Sequence, residues 1–376
     1  MSRNHATSAL STSKLKGYLP SIFKVGDEMV KYVKRNCQGT VANLDLKDIS
    51  TMFTTDVMAN AICGVENNTF EDKNSLFATI TGEVTRKIDL NLLDNLINLV
   101  VDTVPALNKI FQLRFATKRL ENLLISLTRE IIQARTTTGK KRNDIYQVMM
   151  AFRDSGEQGA FTDEYITSQV FTILLDLFET SSNALMSALF TLAWHPESQE
   201  KLRTEILELK SKTKGEYTLE DVEKLKYLDM VLNESLRLYC PISVLSRECT
   251  KDCTLNIPGQ KPLQITAGTS VTIPIGSIQV DSKYYREPAK FDPERFSEEE
   301  SAKRPKFTFM PFGEGPKKCI GMRIAALQVK VAIISMLEHF VLKPCVKSSY
   351  PLDINPRTFL FSRPTNGAWI NFVEIN

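Results

Sequence analysis

Apolar residues recur at helical spacing along most of the chain, which predicts helices over residues 50–63, 75–86, 115–135 and 144–152. Polar stretches separate them: TTTGKKRND (136–144) reads as a basic connector and SGEQGA (155–160) as a turn. The longest pattern runs from Asp163 to Trp194, with Thr162 placed to cap its start and His195-Pro196 to end it. Its middle is apolar on every face, so this helix is expected in the interior. A helix over 196–212 and a strongly amphipathic one over 219–239 follow. The last begins near Gly321, with Ile324, Leu327, Val331, Ile334 and Leu337 as its apolar repeat.

Between Cys240 and Ile275 the period shortens. Runs at 255–257, 263–265 and 270–273, separated by Pro and Gly, predict a small sheet. The charged stretch 297–306 reads as a solvated loop, and Thr365–Asn366–Gly367 as a hairpin turn in the C-terminal tail. The fold class that results is mainly α with a minor β lobe.

Composition narrows the function classes. A chain of 376 residues, 43% apolar and 24% charged, suits one large globular unit or two fused lobes. A net charge of +3 without any basic-aromatic stretch argues against nucleic acid as a partner. Seven cysteines, odd in number and without C-x-x-C, suit neither a disulfide framework nor a zinc ribbon. Cys249 and Cys253 stand four apart, but with three histidines in the chain they make a poor metal site, and a reducing cytosolic face is the better setting. No signal peptide and no run of 18 apolar residues is present.

One cysteine stands in a different context. In PFGEGPKKCIG (311–321), Gly313, Gly315 and Gly321 permit backbone conformations and close approaches closed to other residues, and Pro316 stiffens the loop before Cys319. The helix after Gly321 presents its positive end to Cys319, and Lys317, Lys318 and Arg323 add charge, a setting that favours thiolate. The alternative is a glycine-rich turn around a buried structural cysteine.

This segment resembles the haem-ligand loop of the cytochromes P-450, with Phe312, Gly315, Lys317, Cys319 and Gly321 in the recurring places. Three further segments fall in the family's order: NESLRLY (233–239) resembles its Glu-x-x-Arg helix, FDPERF (291–296) its Pro-Glu-Arg-Phe turn, and FETSS (178–182) its oxygen-activation site. The resemblance covers the whole chain, 1–376, as one domain of the microsomal, xenobiotic-metabolising branch common in insects. It implies the P-450 fold entered in mid C helix, the anchor and first helices of the family lying before Met1.

The resemblance also implies site residues. Cys319 becomes the axial ligand of haem b (iron protoporphyrin IX), whose thiolate ligation favours O–O cleavage. Arg3, Arg247 and Lys317 match the cations that hold the haem propionates. Glu179 and Thr180 match the acid–alcohol pair that relays protons, whereas Asp176 and Leu177 stand where the family commonly has alanine and glycine. A leucine there is expected to narrow the oxygen pocket.

Glu234 and Arg237, three apart on one helix face, and Arg295 match the family's buried structural network. Phe171, Leu175, Val244, Leu245 and Phe359 fall in its substrate-facing stretches. The implied activity is insertion of one oxygen atom of O2 into a lipophilic small molecule at the cytosolic face of the endoplasmic reticulum membrane. Electrons would come from an NADPH-cytochrome reductase drawn to a basic face of Lys303, Arg304, Lys306, Lys318, Arg323 and Lys330. Two alternatives are a truncated or degenerate haem protein without turnover and a helical interaction protein without haem.

Overall fold

The computed structural model describes residues 7–88, 117–155, 161–355 and 361–375. In chain order the elements are α1 (Thr12–Arg35), β1 (Val41–Asp45), α2 (Leu46–Val57), a π-helical turn (Met58–Cys63), α3 (Leu76–Ile88), α4 (Lys118–Thr138), α5 (Ile145–Asp154) and α6 (Asp163–Trp194). Then follow α7 (Pro196–Thr213), α8 (Leu219–Glu223), α9 (Lys226–Leu238), β2 (Leu245–Glu248), β3 (Cys253–Leu255), β4 (Leu263–Ile265) and β5 (Ser270–Ile273). The chain closes with α10 (Ile275–Gln279), a 3-10 turn (Pro293–Phe296), α11 (Glu298–Lys303), α12 (Met322–Leu337), β6 (Phe340–Pro344) and β7 (Trp369–Glu374).

The long apolar pattern does what its lack of a polar face requires: α6 runs through the interior with α2, α4, α9 and α12 packed around it, and 22 of its residues are buried. Thr162 accepts the backbone N–H of Tyr165 and so caps its start. α12 is the second interior helix, packed on α1 and α6. β1, β7 and β6 form one antiparallel sheet in that order, with Ala42 and Leu342 both opposite Phe372 and all three buried. β2–β5 and β3–β4 are separate two-stranded ladders, so the minor β region is less one sheet than two ribbons.

Four local expectations are corrected. The helix over 219–239 is two helices, because the chain breaks at Leu225 and the Glu205 carboxylate accepts the N–H groups of Tyr227 and Leu228 at 2.9 and 3.0 Å, starting a new helix there. The charged stretch 297–306 contains the exposed helix α11, capped by Ser297 on the N–H of Glu300. The tail forms no hairpin ladder about Thr365–Gly367, since β7 pairs with the distant β1 and β6. The strand expected at 255–257 lies at Cys253–Leu255. No sequence pattern marked α1, β1, β2, β6 or the short α10.

Gly64 shows how tightly the helical lobe is pinned. It ends the π-helical turn at φ +65°, and a methyl there would lie 2.2 Å from Asp144 Oδ2. Asp144 is itself locked, accepting Arg135 Nη1 and Nη2 at 2.6 and 2.8 Å while capping α5, and Arg135 also donates to the Cys63 carbonyl. Gly139 has nearly the same φ, +64°, with open space around it. Gly64→Ala is therefore expected to lower the melting midpoint clearly more than Gly139→Ala, which costs about 1–2 kcal/mol from backbone conformation alone. Equal losses in thermal unfolding would mean that the Arg135–Asp144 pair yields freely.

Candidate functional site

The segment 311–321 closes on itself through backbone bonds. Gly313 N–H donates to the Met310 carbonyl, Cys319 N–H to Phe312 and Lys318 N–H to Gly315, at 2.9 to 3.0 Å. Gly313 and Gly315 take φ of +67° and +81°, which explains why glycines stand there. Gly321 adopts ordinary angles, but its missing side chain keeps the flank of the thiol open: a methyl would lie 3.8 Å from Cys319 Sγ and 3.9 Å from Leu177 Cδ1. Leu177 thus reaches across to the thiol loop from α6.

A cavity of about 570 Å³ opens on Cys319. The loop contributes Phe312, Gly313, Lys317, Lys318 and Gly321 to its wall. From α6 come Ile173, Asp176, Leu177, Thr180 and Ala184, whose spacing of three and four places them on one face. The two-residue period of β2 turns Leu245 and Arg247 to the same cavity. Of the expected substrate-facing residues, Leu175 and Leu245 line it, Phe171 packs against the core away from it, and Val244 is 47% exposed outside it. Phe361 lines the cavity, while Phe359 and Arg3 lie outside the described residues.

The structure separates the acid from the alcohol. Thr180 faces the cavity and its hydroxyl donates to the Asp176 carbonyl one turn back. Glu179 is fully buried on the other flank, where Lys47 Nζ and Arg363 Nε donate to its Oε1 at 3.0 and 2.9 Å. Burial pushes the Glu179 carboxyl up, but Lys47 and Arg363 outweigh it and hold the group below its ordinary value. Lys47 and Arg363 also line a second cavity of about 560 Å³ between α2, α3 and the segment before β7. Sequence reading missed both cations, which lie 132 and 184 residues from Glu179.

Behind the thiol loop, the structure assembles Glu234, Arg237 and Arg295. Arg237, with no exposed surface, donates to both Glu234 oxygens at 2.6 and 2.8 Å and to the Gln279 and Lys290 carbonyls. Arg295 Nε lies 3.4 Å from Glu234, and the N–H of Asp292 donates to the same carboxylate at 2.9 Å. Burial pushes the Glu234 carboxyl up, against the pull of Arg237. Gln279 carries the network to the loop, because its side-chain oxygen accepts the N–H of Met310, the residue before Pro311, at 3.0 Å. No sequence motif marked Gln279.

The cationic surface is weaker than expected. Lys318 bridges Glu314, Arg323 bridges Glu223, Lys303 bridges Glu299 and Glu300, and Lys330 is buried against Asp229. Arg304 is half-buried over the Phe296 and Tyr285 rings. Acidic neighbours neutralise most of the basic face. Among the described residues no helix is long and apolar enough to cross a membrane, and no cluster of metal-ligating side chains forms at Cys249 and Cys253.

Comparison with known proteins places this geometry in context. The family model for cytochrome P-450 matches residues 1–372. Cytochrome P-450 6j1 of Blattella germanica is 35% identical over all of this chain and 73% of its own length. A probable cytochrome P-450 6a13 of Drosophila melanogaster is 32% identical over 96% of this chain and 71% of its own length. Cytochrome P-450 6k1 of Blattella germanica is 30% identical over 97% and 72%.

Because Arg237 is the hub behind the loop, Arg237→Ala is expected to leave Glu234 buried with Arg295 alone, at a cost of about 3–5 kcal/mol. The thermal midpoint and the soluble yield should both fall, whereas Lys303→Ala, at an exposed pair, should change neither. A normal midpoint for Arg237→Ala would show that the network does not brace the fold.

Proposed function

Since the chain belongs to the cytochrome P-450 family of haem b monooxygenases, which take electrons from a redox partner, we propose a division of labour among its residues. The residues present suit that cofactor. A thiol in a glycine-rich loop and the cations Arg247 and Lys317 open on one mainly apolar cavity, and Gly321 offers no side chain to obstruct the thiol. Cys319 would hold the haem iron through its thiolate, and Arg247, Lys317 and Arg3 would hold the propionates. Lys317 offers a point charge without the bidentate fork of arginine. Bound haem supplies the iron centre at which O2 is reductively activated.

The protein's own contribution is shape, charge and protons. Ile173, Leu175, Leu245 and Phe361 give the cavity apolar walls, which orient a lipophilic substrate and keep water out. Thr180 holds a hydroxyl at the cavity, and Glu179 holds a carboxylate between Lys47 and Arg363 on the opposite flank of α6. We assign them the proton supply, with Glu179 drawing on the side of the second cavity. One oxygen atom of O2 enters the substrate and the other leaves as water, which consumes two electrons and two protons. An NADPH-dependent reductase is the proposed electron donor, since the sequence carries no flavin or nicotinamide motif. The proposed place is the cytosolic face of the endoplasmic reticulum membrane, a reading supported by the sequence's likeness to the microsomal branch. The whole chain is proposed to act as one domain.

The convergence of Cys319, Arg247 and Lys317 on one cavity carries this reading. Its test is the spectrum of the reduced protein under carbon monoxide, in which thiolate-ligated haem gives a strongly red-shifted Soret band. Cys319→Ser is expected to abolish the band, while Cys240→Ser, Cys249→Ser and Cys345→Ser keep it. A Cys319→Ser protein that retained the band would overturn the assignment.

Leu177 bears on efficiency. It is buried, lines the cavity and approaches Gly321 beside the thiol, so its bulk occupies space that a glycine would leave open. Leu177→Gly is expected to raise product formed per NADPH consumed, despite a helix-propensity cost of about 1 kcal/mol. Equal coupling in the two proteins would show that Leu177 does not crowd the oxygen site.

A further inference from the structure

Among the described residues lining the cavity, Asp176 is the only acid, and it stands on the α6 wall among Ile173, Leu175 and Leu177. Its carbonyl accepts the Thr180 hydroxyl, but no hydrogen bond or ion pair engages its carboxylate among the described residues. Glu179, three residues on, shows the contrast: an acid of the same helix whose Oε1 is paired with Lys47 and Arg363. The Asp176 side chain is exposed to the open cavity, and partial desolvation by the protein around it pushes the carboxyl up with no neighbouring charge acting on it. The cavity's cations, Arg247, Lys317 and Lys318, belong to β2 and the thiol loop. Lys318 is already paired with Glu314, and bound haem would answer Arg247 and Lys317 with its two propionates, leaving the Asp176 carboxylate without a counter-charge.

We propose that Asp176 makes this enzyme select lipophilic substrates that carry a cation, with an ammonium group held against the α6 wall and the apolar remainder in the cavity. Asp176 is open to water in the empty cavity, so a ligand that displaces this water strands the charge if it is neutral and answers it if it carries an ammonium. The family's small residues at this position could not discriminate charge in this way. The inference rests on the reading of this cavity as the substrate site.

The test uses haem-loaded enzyme and two probes of equal shape: 6-phenylhexyl-trimethylammonium and the same molecule with tert-butyl in place of trimethylammonium. The quaternary nitrogen has no lone pair, so it neither titrates nor ligates iron. Equilibrium dialysis of each probe is expected to show the cation binding at least about tenfold tighter than its isostere in the wild type. Asp176→Asn should lose that preference while binding the isostere within about twofold of wild type, and Asp176→Glu should keep it. Asp176→Ala serves as the second neutral variant should Asp176→Asn fold poorly. A wild type that binds the isostere as tightly as the cation, or a preference that survives in both neutral variants, overturns the role of Asp176 alone. Failure of the wild type to bind either probe overturns the substrate-site reading and the inference together.

Discussion

The structure depends most on the buried ion pair between Glu234 and Arg237. Both side chains lack exposed surface, so the charges persist because most of their hydrogen-bonding capacity is answered: two bonds within the pair, carbonyls of Gln279 and Lys290 for the arginine, and the Asp292 N–H for the acid. That demand joins α9, α10 and the turn at Pro293–Phe296. Gln279 then passes the constraint to Met310, where the loop begins. A loop rich in glycine has much conformational entropy to lose, and anchoring its root to a rigid network reduces the number of states it can sample.

α6 solves a second problem. A largely buried helix cannot hide polar groups at random, and the two acids in its middle, Asp176 and Glu179, are treated in opposite ways. Glu179 is neutralised by cations from remote segments, which pins α6 to the N-terminus of α2 and to the chain before β7. Asp176, on the cavity face, accepts the Thr180 hydroxyl at its backbone carbonyl, and no bond to its carboxylate occurs among the described residues. The same helix therefore has one flank built for rigidity and one left open to a ligand.

The surface offers less to a redox partner than its lysine count suggests. Neighbouring glutamates answer Lys303, Lys318 and Arg323, and exposed pairs of this kind are worth little energetically. They do lower the local potential, so steering of an acidic partner would be shorter in range and more sensitive to salt than a bare cluster would give.

What the sequence alone determined is local or periodic. The bounds of α6, the start of α12, the strands at Leu263–Ile265 and Ser270–Ile273, and the glycine positions of the thiol loop all follow from side-chain period, capping and φ preference, which a short window contains. The four resembling segments likewise carried the family, because each joins its key residues within a few positions of one another. Tertiary structure decided everything joined across long separations. It broke the helix at Leu225 with a carboxylate from α7, turned β7 toward β1 and β6 instead of a local hairpin, and brought Gln279 to the loop. It also gave Glu179 its partners from 132 and 184 residues away and left Asp176 facing the cavity without one among the described residues. A buried charge takes whichever counter-charge the packing delivers, and nothing in its own neighbourhood of sequence says which.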